Sequence, residues 1–201
     1  MIRGNDQVSY ANVEYHFGPV GFEYEGEKIK LRQAFAVHID QSRPRSRGQI
    51  RLKSADPNEK VSLEPNLLTH PEDMREMIEG VKKARELFAQ SAFDEFRGVE
   101  LDPGPEVQTD EDIKRWVAAT CETDFHLSCS CKMGNDDMAV VDDQMRVHGI
   151  ESLRVVDASV MPQITSANLN APTQMIAARA ADYILGNPQL EPFEAKFAFQ
   201  S

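Results

Sequence analysis

The sequence lacks a glycine-rich dinucleotide loop, because no two of its eleven glycines stand in a Gly-x-Gly arrangement. Such a loop lets the backbone approach a pyrophosphate at the N-terminus of a helix. Its absence excludes a self-contained dinucleotide-binding fold of that kind. The 201 residues are nevertheless enough to bury a sizeable core.

Long apolar runs and excess positive charge are also missing. No stretch approaches the roughly 18 apolar residues that a membrane-spanning helix needs, and residues 1–6 contain no hydrophobic signal core. The net charge of −11 argues against nucleic acid or an anionic membrane surface as the main partner. An apolar fraction of 41% predicts a soluble, globular chain.

Cysteine is scarce, with only Cys121, Cys129 and Cys131 in the chain. The number is odd, and the last two are too close in sequence for an easy mutual disulfide. A reducing, cytoplasmic setting is therefore the expectation.

Alternating apolar and polar residues predict strands between residues 10 and 53. The turns between them are expected near Gly18 and Gly26. The pattern indicates an antiparallel sheet with one buried face. The alternating apolar positions are Val13, Tyr15, Phe17, Phe35, Val37 and Ile39.

Helical spacing of apolar residues predicts two helices in the middle of the chain. The first begins near Thr69, which with Glu72 forms a capping box, and runs to about Gln90. The second begins near Thr109, which serves as its N-cap. The apolar stripe of the first helix is attributed to core packing and comprises Met74, Ile78, Val81, Ala84 and Phe88.

The last part of the chain is predicted to hold two strands and a helix. Residues 138–142 and 153–157 are apolar runs on either side of a turn around His148 and Gly149. The helix is predicted from about Ala171 to Leu185, with a stop at Gly186. Asn170 is expected to be its N-cap.

Two polar residues of this region could act on one substrate oxygen. His126 is a candidate base, because histidine titrates near neutral pH. The residues alone leave open whether it is a base or a cap at the end of the preceding helix. Asn170 is a candidate partner, because an amide can both donate to an oxygen and accept from a hydroxyl group.

His126, Cys129 and Cys131 also form a His-x-x-Cys-x-Cys pattern. Three ligands within six residues lack the usual zinc-site spacing and a distant second pair, so no metal site is expected. A hydrolase with Cys129 as nucleophile is less favoured still, because nothing marks a third, orienting group. A small metal-binding module stays an alternative.

Asp157 and His16 are further candidates with two interpretations each. Asp157, with Ala158, follows a predicted apolar strand, and polar residues at strand ends are where α/β folds meet ligands. It could equally be a loop cap. His16 lies on a predicted strand, either as a partly buried strand histidine or as a substrate contact.

Four motifs occur in an order that resembles the C-terminal part of the glucose-methanol-choline (GMC) flavoprotein oxidoreductases, in particular their choline dehydrogenase branch. One departure is that Leu127 stands where proline commonly follows the family's histidine. The motifs cover most of the chain and lie at residues 15–20 (Tyr-His-Phe-Gly-Pro-Val), 46–52 (Ser-Arg-Gly-Gln-Ile-Arg-Leu), 128–134 (Ser-Cys-Ser-Cys-Lys-Met-Gly) and 168–173 (Asn-Leu-Asn-Ala-Pro-Thr).

The resemblance implies an α+β fold in which an antiparallel-sheet substrate domain with flanking helices is joined to the C-terminal segment of an FAD-binding α/β domain. Residues 8–120 would form part of the substrate domain, residues 121–190 would complete the FAD domain and active site, and residues 191–201 would be a tail. The chain would then be a C-terminal piece of the enzyme, inactive by itself.

The resemblance also implies roles for individual residues. His126 would remove the hydroxyl proton of a choline-like primary alcohol, and Asn170 would hold its oxygen. His16 would contact the substrate near aromatic side chains that attract a quaternary ammonium group. The residues expected to contact FAD are Asp157, Ala158, Asn170, Ala171 and Thr173.

The expected partners follow from the same resemblance. They are the alcohol and a separate or missing N-terminal half that binds FAD, and the family also suggests peripheral association with the inner membrane. An alternative is a non-catalytic accessory chain that needs another polypeptide to bind flavin.

Overall fold

The computed structural model describes residues 1–5, 7–25 and 28–193. The chain forms two compact units, of which the first contains residues 1–47 and 66–122 and the second contains residues 48–65 and the chain from residue 123 onward. The grouping assigns residues 48–65 to the second unit, whereas the sequence-based boundaries assign them to the substrate domain; those domain assignments stay predictions. The turn predicted around Gly26 and most of the predicted tail lie outside the described residues.

Two antiparallel strand pairs form the sheets of the first unit. The strands are β1 (Val13–Gly18), β2 (Gly21–Glu25), β3 (Lys28–Arg32) and β4 (Ala36–Gln41). β1 pairs with β4, with Tyr15 opposite Ile39, and β2 pairs with β3. The predicted antiparallel pairing is therefore confirmed, but the strands form two separate pairs and not one sheet with a buried face, since β3 is exposed along its length.

One face of the β1–β4 pair packs against helix α1 (Pro71–Phe88). Tyr15 donates its hydroxyl proton to the carbonyl oxygen of Gly80 at 2.6 Å. Burial, with a smaller contribution from Glu86, raises the pKa of Tyr15 to about 12, so the phenol stays a donor. At Gly80 a Cβ atom would lie 2.8 Å from Ile39 Cγ2, so glycine is what lets the helix approach the sheet this closely.

Of the two N-caps predicted for helices of this unit, that of the second helix is confirmed and that of the first is wrong. α2 (Asp110–Thr120) has the predicted N-cap, Thr109, which also forms a capping box with Asp112. The predicted Thr69 cap of α1 is wrong, because His70 is the N-cap and its Nδ1 accepts from the N–H of Glu72 at 3.2 Å. Thr69 instead donates to the carbonyl oxygen of Asn66.

The core between α1 and α2 contains Met74, Ile78 and Val81 of the apolar stripe predicted for α1, whereas Phe88 packs on Phe35 and Phe93. Three side chains are almost fully enclosed, and partly buried neighbours surround them. The enclosed residues are Val81, Ile113 and Val117, and the neighbours include Ile39, Leu68, Met74, Met77, Ile78, Val107 and Trp116.

The second unit has little regular structure. It contains a short pair of strands, β5 (Gln49–Arg51) and β6 (Ser62–Glu64), and a long helix, α3 (Asn170–Leu185). The predicted stop of α3 is confirmed, since Gly186 adopts a left-handed conformation with φ of 70°. No helix in the described part of the chain is both long and apolar enough to cross a membrane.

The two strands predicted at residues 138–142 and 153–157 are wrong. Only isolated bridges occur there, joining Val141 to Val147 and Arg146 to Arg154. The backbone leaves the extended conformation at Met145 and at Ser152, whose φ angles are 63° and 60°. The apolar pattern reflects a compact core instead, formed by Val141, Met145, Val160 and Ala180.

A buried carboxylate joins the loop after β4 to the first turn of α1. Asp73 is only 1% exposed. It accepts hydrogen bonds from the backbone N–H groups of Arg45 and Ser46, from the Ser46 hydroxyl and from the Gln41 amide. Burial acts to raise the pKa of Asp73, but these hydrogen bonds outweigh it and hold the pKa below its ordinary value.

We expect Asp73→Asn to lower the free energy of unfolding by about 1–3 kcal/mol at neutral pH, because an amide nitrogen cannot accept from the loop N–H groups. A carboxyl with a depressed folded pKa stabilises the fold above its unfolded pKa of about 3.9. The difference between wild type and variant should therefore shrink as the pH falls below about 4. Urea denaturation of the 201-residue chain at several pH values measures both effects.

Asp94→Asn is the matched control for Asp73→Asn. Its carboxylate is 60% exposed and pairs with Arg97 on the surface, so its loss should change the stability by less than about 0.5 kcal/mol. Equal effects of the two substitutions at pH 7 would contradict the role of Asp73 as an anchor.

Candidate active site

His126 lies in an irregular segment of the second unit and is exposed. The preceding residue, Phe125, is 85% exposed and has a φ of 58°. Helix α2 ends at Thr120 with Cys121 as its cap residue, so that cap is supplied without the histidine. Among the described residues, no hydrogen bond engages the imidazole.

The segment after His126 is held by backbone pairing. The N–H groups of residues 129, 131 and 133 donate to the carbonyl oxygens of residues 158, 159 and 160, at 3.3, 2.9 and 2.8 Å. This ladder places the motif at residues 128–134 beside residues 158–160. The ladder begins three residues after His126 and therefore restricts the position of the segment that carries this histidine.

Asp157 stands at the start of this pairing. Its Oδ1 accepts from the N–H of Ser159 at 2.7 Å and caps a short 3₁₀ helix, Ala158–Val160. No strand precedes it, because residues 153–157 form only a bridge. The structure therefore gives Asp157 the loop-cap geometry that the sequence left open, with the carboxylate exposed beside the ladder.

The N-terminus of α3 differs from the expectation for Asn170. Leu169 is the N-cap, in a helical conformation with φ of −79° and ψ of −12°, and Asn170 is the first residue of the helix. Asn170 as N-cap is therefore wrong, and no side chain caps this helix. The Thr173 hydroxyl and N–H both bond to the Leu169 carbonyl, at 2.7 and 3.0 Å.

The missing side-chain cap matters for the first turn of α3. The first N–H groups of an α-helix have no acceptor within the helix. Here they belong to Asn170 and Ala171, while Pro172 has none to offer. Two N–H groups and the positive end of the helix dipole are therefore available to an anionic group.

The two sides of α3 are chemically different. One side faces the core of the second unit through Ile176, Ala180 and Tyr183. The opposite side is exposed although it is mostly apolar, which is unusual for a helix whose outer face meets water. The outward face, as we call it, consists of Asn170, Gln174, Ala177, Ala178, Ala181 and Leu185.

A single core joins the parts of the candidate site in this unit. Val160, at the end of the ladder, and Ala180, on α3, are both at most 1% exposed and belong to the same cluster. The segments with His126, Asp157 and Asn170 are thus attached to one set of buried side chains. No hydrogen bond links His126 to Asn170 in the described residues.

His16 belongs to the first unit and lies beside two carboxylates. Its Nε2 is 3.0 Å from Asp40 Oδ2 and 3.7 Å from Glu14 Oε1, and the side chain is 41% exposed. Because side chains alternate along a strand, His16 lies on the face of β1 opposite to Tyr15 and α1. The signal that sequence reasoning missed was the pairing of β1 with β4, which puts Asp40 opposite Glu14.

Gln174 is a second residue that sequence reasoning missed. Its Nε2 donates to Oδ1 of Asn170 at 2.9 Å. The available signal was the spacing of four residues on a predicted helix, which puts two side chains on one face.

The three cysteines are reduced and partly buried. Within the described part of the chain, His126, Cys129 and Cys131 do not bring their ligand atoms together as a metal-binding group. Cys129 has a φ of 69° and its Sγ lies 3.2 Å from the Ser128 hydroxyl.

Comparison with protein families settles the class of the chain. The C-terminal family model of the GMC oxidoreductases matches residues 44–177. The chain belongs to the GMC oxidoreductase family. The match includes the ladder, the Asp157 turn and the first half of α3.

Relatives of the chain agree with this assignment. It is 47% identical over 195 residues to the oxygen-dependent choline dehydrogenase of Staphylococcus aureus (strain JH9), with 96% of this chain covered. The same match covers 34% of that relative, so the chain spans about a third of the length of the curated relatives it matches.

Solved structures of the family share the fold. Pyridoxine 4-oxidase from Mesorbium loti superposes with a TM-score of 0.72 at 25% identity, over 77% of this chain and 30% of that one. Formate oxidase from Aspergillus oryzae RIB40 gives 0.71 at 31% identity, over 75% and 26%. The family and these neighbours are FAD-dependent flavoproteins.

We expect EDTA to leave the melting temperature of the chain unchanged within about one degree, because the His-x-x-Cys-x-Cys residues do not converge on an ion. Differential scanning fluorimetry with EDTA, and with magnesium-saturated EDTA as the control for ionic strength, makes the measurement. A fall of several degrees with free chelator alone would restore the metal-binding module.

Proposed function

We propose that this chain supplies the C-terminal part of an FAD-dependent, choline dehydrogenase-like oxidoreductase that oxidises a primary alcohol. Its second unit would complete the FAD domain and the active site, and its first unit would form part of the substrate domain. The catalytic residues would be His126 and Asn170. The observation that carries the proposal is the shared core that links the segments of His126, Asp157 and Asn170, in a chain 47% identical to a choline dehydrogenase.

His126 would be the base. An alcohol releases hydride from its carbon readily only when the hydroxyl proton is at least partly removed, and an accessible imidazole can take that proton near neutral pH. The exposed position of His126 and its lack of a hydrogen-bond partner in the described residues support this role. FAD, when bound, supplies the acceptor for the hydride.

Asn170 and the start of α3 would hold negative charge. The amide of Asn170 can donate to the alcohol oxygen as it becomes anionic. The uncapped N–H groups of Asn170 and Ala171 fit a cofactor whose ring carries negative charge after reduction, since the helix dipole favours an anion there. The small outward residues of α3 suit a closely approaching planar ring.

The remaining candidate FAD contacts fit to different degrees. Asp157 and Ala158 would face the ribityl and phosphate region, and Asp157 is exposed. The Ala158 carbonyl already accepts from the ladder and from Met161. Thr173 has its hydroxyl proton committed to Leu169, so it would serve only as an acceptor.

His16 would contact the substrate. The carboxylates of Glu14 and Asp40 beside it make this face of the β1–β4 pair negative, which favours a cationic alcohol such as a choline-like compound. Phe22 stacks on His38 with ring centroids 6.1 Å apart. Because His38 lies opposite His16 in the β1–β4 pair, this ring of β2 adds a nearby aromatic surface that attracts quaternary ammonium groups.

The FAD-binding portion would come from the part of the relatives that this chain does not match. The exposed large apolar side chains of α3, which are Met175, Ile184 and Leu185, support such a covering surface. A non-catalytic accessory chain that joins a separate FAD-binding polypeptide remains the alternative. Peripheral membrane association and a cytoplasmic location stay expectations from the family resemblance.

The 201-residue chain alone should bind FAD weakly or not at all, because it lacks a glycine-rich loop for the pyrophosphate. Isothermal titration calorimetry with FAD makes the measurement. Binding with a Kd of about 1 μM or tighter, which corresponds to about −8 kcal/mol, would contradict the expectation.

Catalysis can be tested in a chimaera in which this chain replaces the matching third of the Staphylococcus aureus relative. We expect His126→Ala to lower kcat and kcat/KM for choline together, by at least about a hundredfold, with FAD content retained. Anaerobic stopped-flow reduction of the flavin isolates the chemical step.

His148→Gln is the matched control in the chimaera. His148 is an exposed histidine of the same unit whose Nε2 lies 3.0 Å from the Gly134 carbonyl, and glutamine keeps a donor there. The flavin of the His148→Gln chimaera should be reduced at the wild-type rate. If the flavin of the His126→Ala chimaera were also reduced at the wild-type rate, His126 would have no catalytic role. A chimaera that binds no flavin would favour the accessory-chain alternative.

A further inference from the structure

We propose that Gln174 positions the side-chain amide of Asn170, so that Asn170 presents its NH₂ group and not its carbonyl oxygen to the substrate. Gln174 is a positioning residue in this proposal, because it acts through Asn170 and needs no contact with the alcohol. The inference rests on the proposed function of Asn170 and deepens it.

The geometry begins with one hydrogen bond across one turn of α3. Gln174 Nε2 donates to Asn170 Oδ1 at 2.9 Å. The two residues are four apart on the outward face, so the contact needs no loop to be ordered and both side chains lean along the same helix surface. Gln174 thus engages the acceptor end of the Asn170 amide.

The direction of this bond decides what Asn170 can do. An amide offers a carbonyl oxygen that accepts and an NH₂ group that donates. With Oδ1 held by Gln174, the Nδ2 hydrogens are the part of Asn170 left for the substrate. A donor aimed at the oxygen stabilises the negative charge that develops there, and removal of the hydroxyl proton is then left to His126.

Neighbouring residues explain why such a pair can hold an orientation. Both side chains are exposed in this chain, and an exposed pair at this spacing is weak. The rest of the outward face is apolar, however, as Ala177, Ala178 and Ala181 show. When a partner surface covers that face, water no longer competes for the two amide groups, and the hydrogen bond orients the Asn170 amide more firmly.

The direction of the bond can be read by NMR on the 201-residue chain. Asn170→Leu removes the partner of Gln174. If Gln174 is the donor, its side-chain amide protons should have a small temperature coefficient in the wild type and a solvent-like one in Asn170→Leu. If Gln174 is the acceptor instead, its amide protons should be solvent-like in both proteins, and the proposal is overturned.

The consequence for catalysis can be read in the chimaera by a double-mutant cycle. Gln174→Met removes the hydrogen bond with little change in size, charge or helix propensity. We expect it to slow anaerobic flavin reduction about three- to tenfold, through kcat more than KM. In an Asn170→Ala background it should have no further effect, because the residue it positions is gone.

Each outcome of the cycle has one meaning. Equal slowing by Gln174→Met in both backgrounds, or no slowing in either, shows that Gln174 does not act through Asn170 and overturns the proposal. If Asn170→Ala alone reduces its flavin at the wild-type rate, the proposed function of Asn170 fails first, whatever Gln174 does. If Asn170→Ala slows reduction and the cycle shows no coupling, only the positioning role fails.

Discussion

The second unit depends on the burial of a few side chains, most of which stand on backbone outside α-helices and strands. Val141, Met145 and Val160 form its core together with Ala180 of α3, and the irregular part of the chain has positive φ angles at Cys129, Met145 and Ser152. Irregular backbone can enclose a core only if its N–H and C=O groups find partners. The ladder between residues 129–133 and 158–160 supplies some of them, and bonds such as those from the Val141 and Met145 N–H groups to the Lys132 and Asp142 carbonyls supply others. The ladder also holds the segment that follows His126.

How much of this could be predicted from the sequence depends on whether local pattern or tertiary packing decides the structure. β1 and β4 follow from alternation, and α2 follows from Thr109 and Asp112, whose contact is local. The apolar runs before and after Met145 look like strands as well. They are not, because Asp142 accepts from the N–H groups of Gln144 and Arg146 and bends the chain into a turn.

The cap of α1 could not be predicted for a similar reason. Thr69 is a better N-cap than histidine by intrinsic preference. The bend before the helix, with Leu68 at a φ of 58°, turns the threonine hydroxyl back to Asn66. Ser46 then accepts from the His70 N–H, so a residue from a distant loop determines where the helix begins.

The identity of the candidate site residues follows from motif resemblance, whereas their surroundings follow from the fold. A sequence can single out His16 but not the two carboxylates beside it, because one of them, Asp40, comes from a strand that pairs with β1 across a sheet. Likewise Asn170 can be named from its motif, but its place as first residue of α3 follows from Leu169, which is buried and already helical. The chemical type of a site residue can be read from its own motif, whereas its neighbours and its orientation depend on residues that are distant in the sequence.

α3 connects the stability of this unit with its proposed chemistry. Its inner side is attached through Ala180, a residue small enough to let the helix lie close to the core. Its outward face is nearly as small, so a covering surface could approach just as closely. The axial position of Asn170 is therefore set by packing on one side of the helix, and its amide accepts from Gln174 on the other. In our proposal, packing determines where the donor is, and this hydrogen bond determines which way it faces.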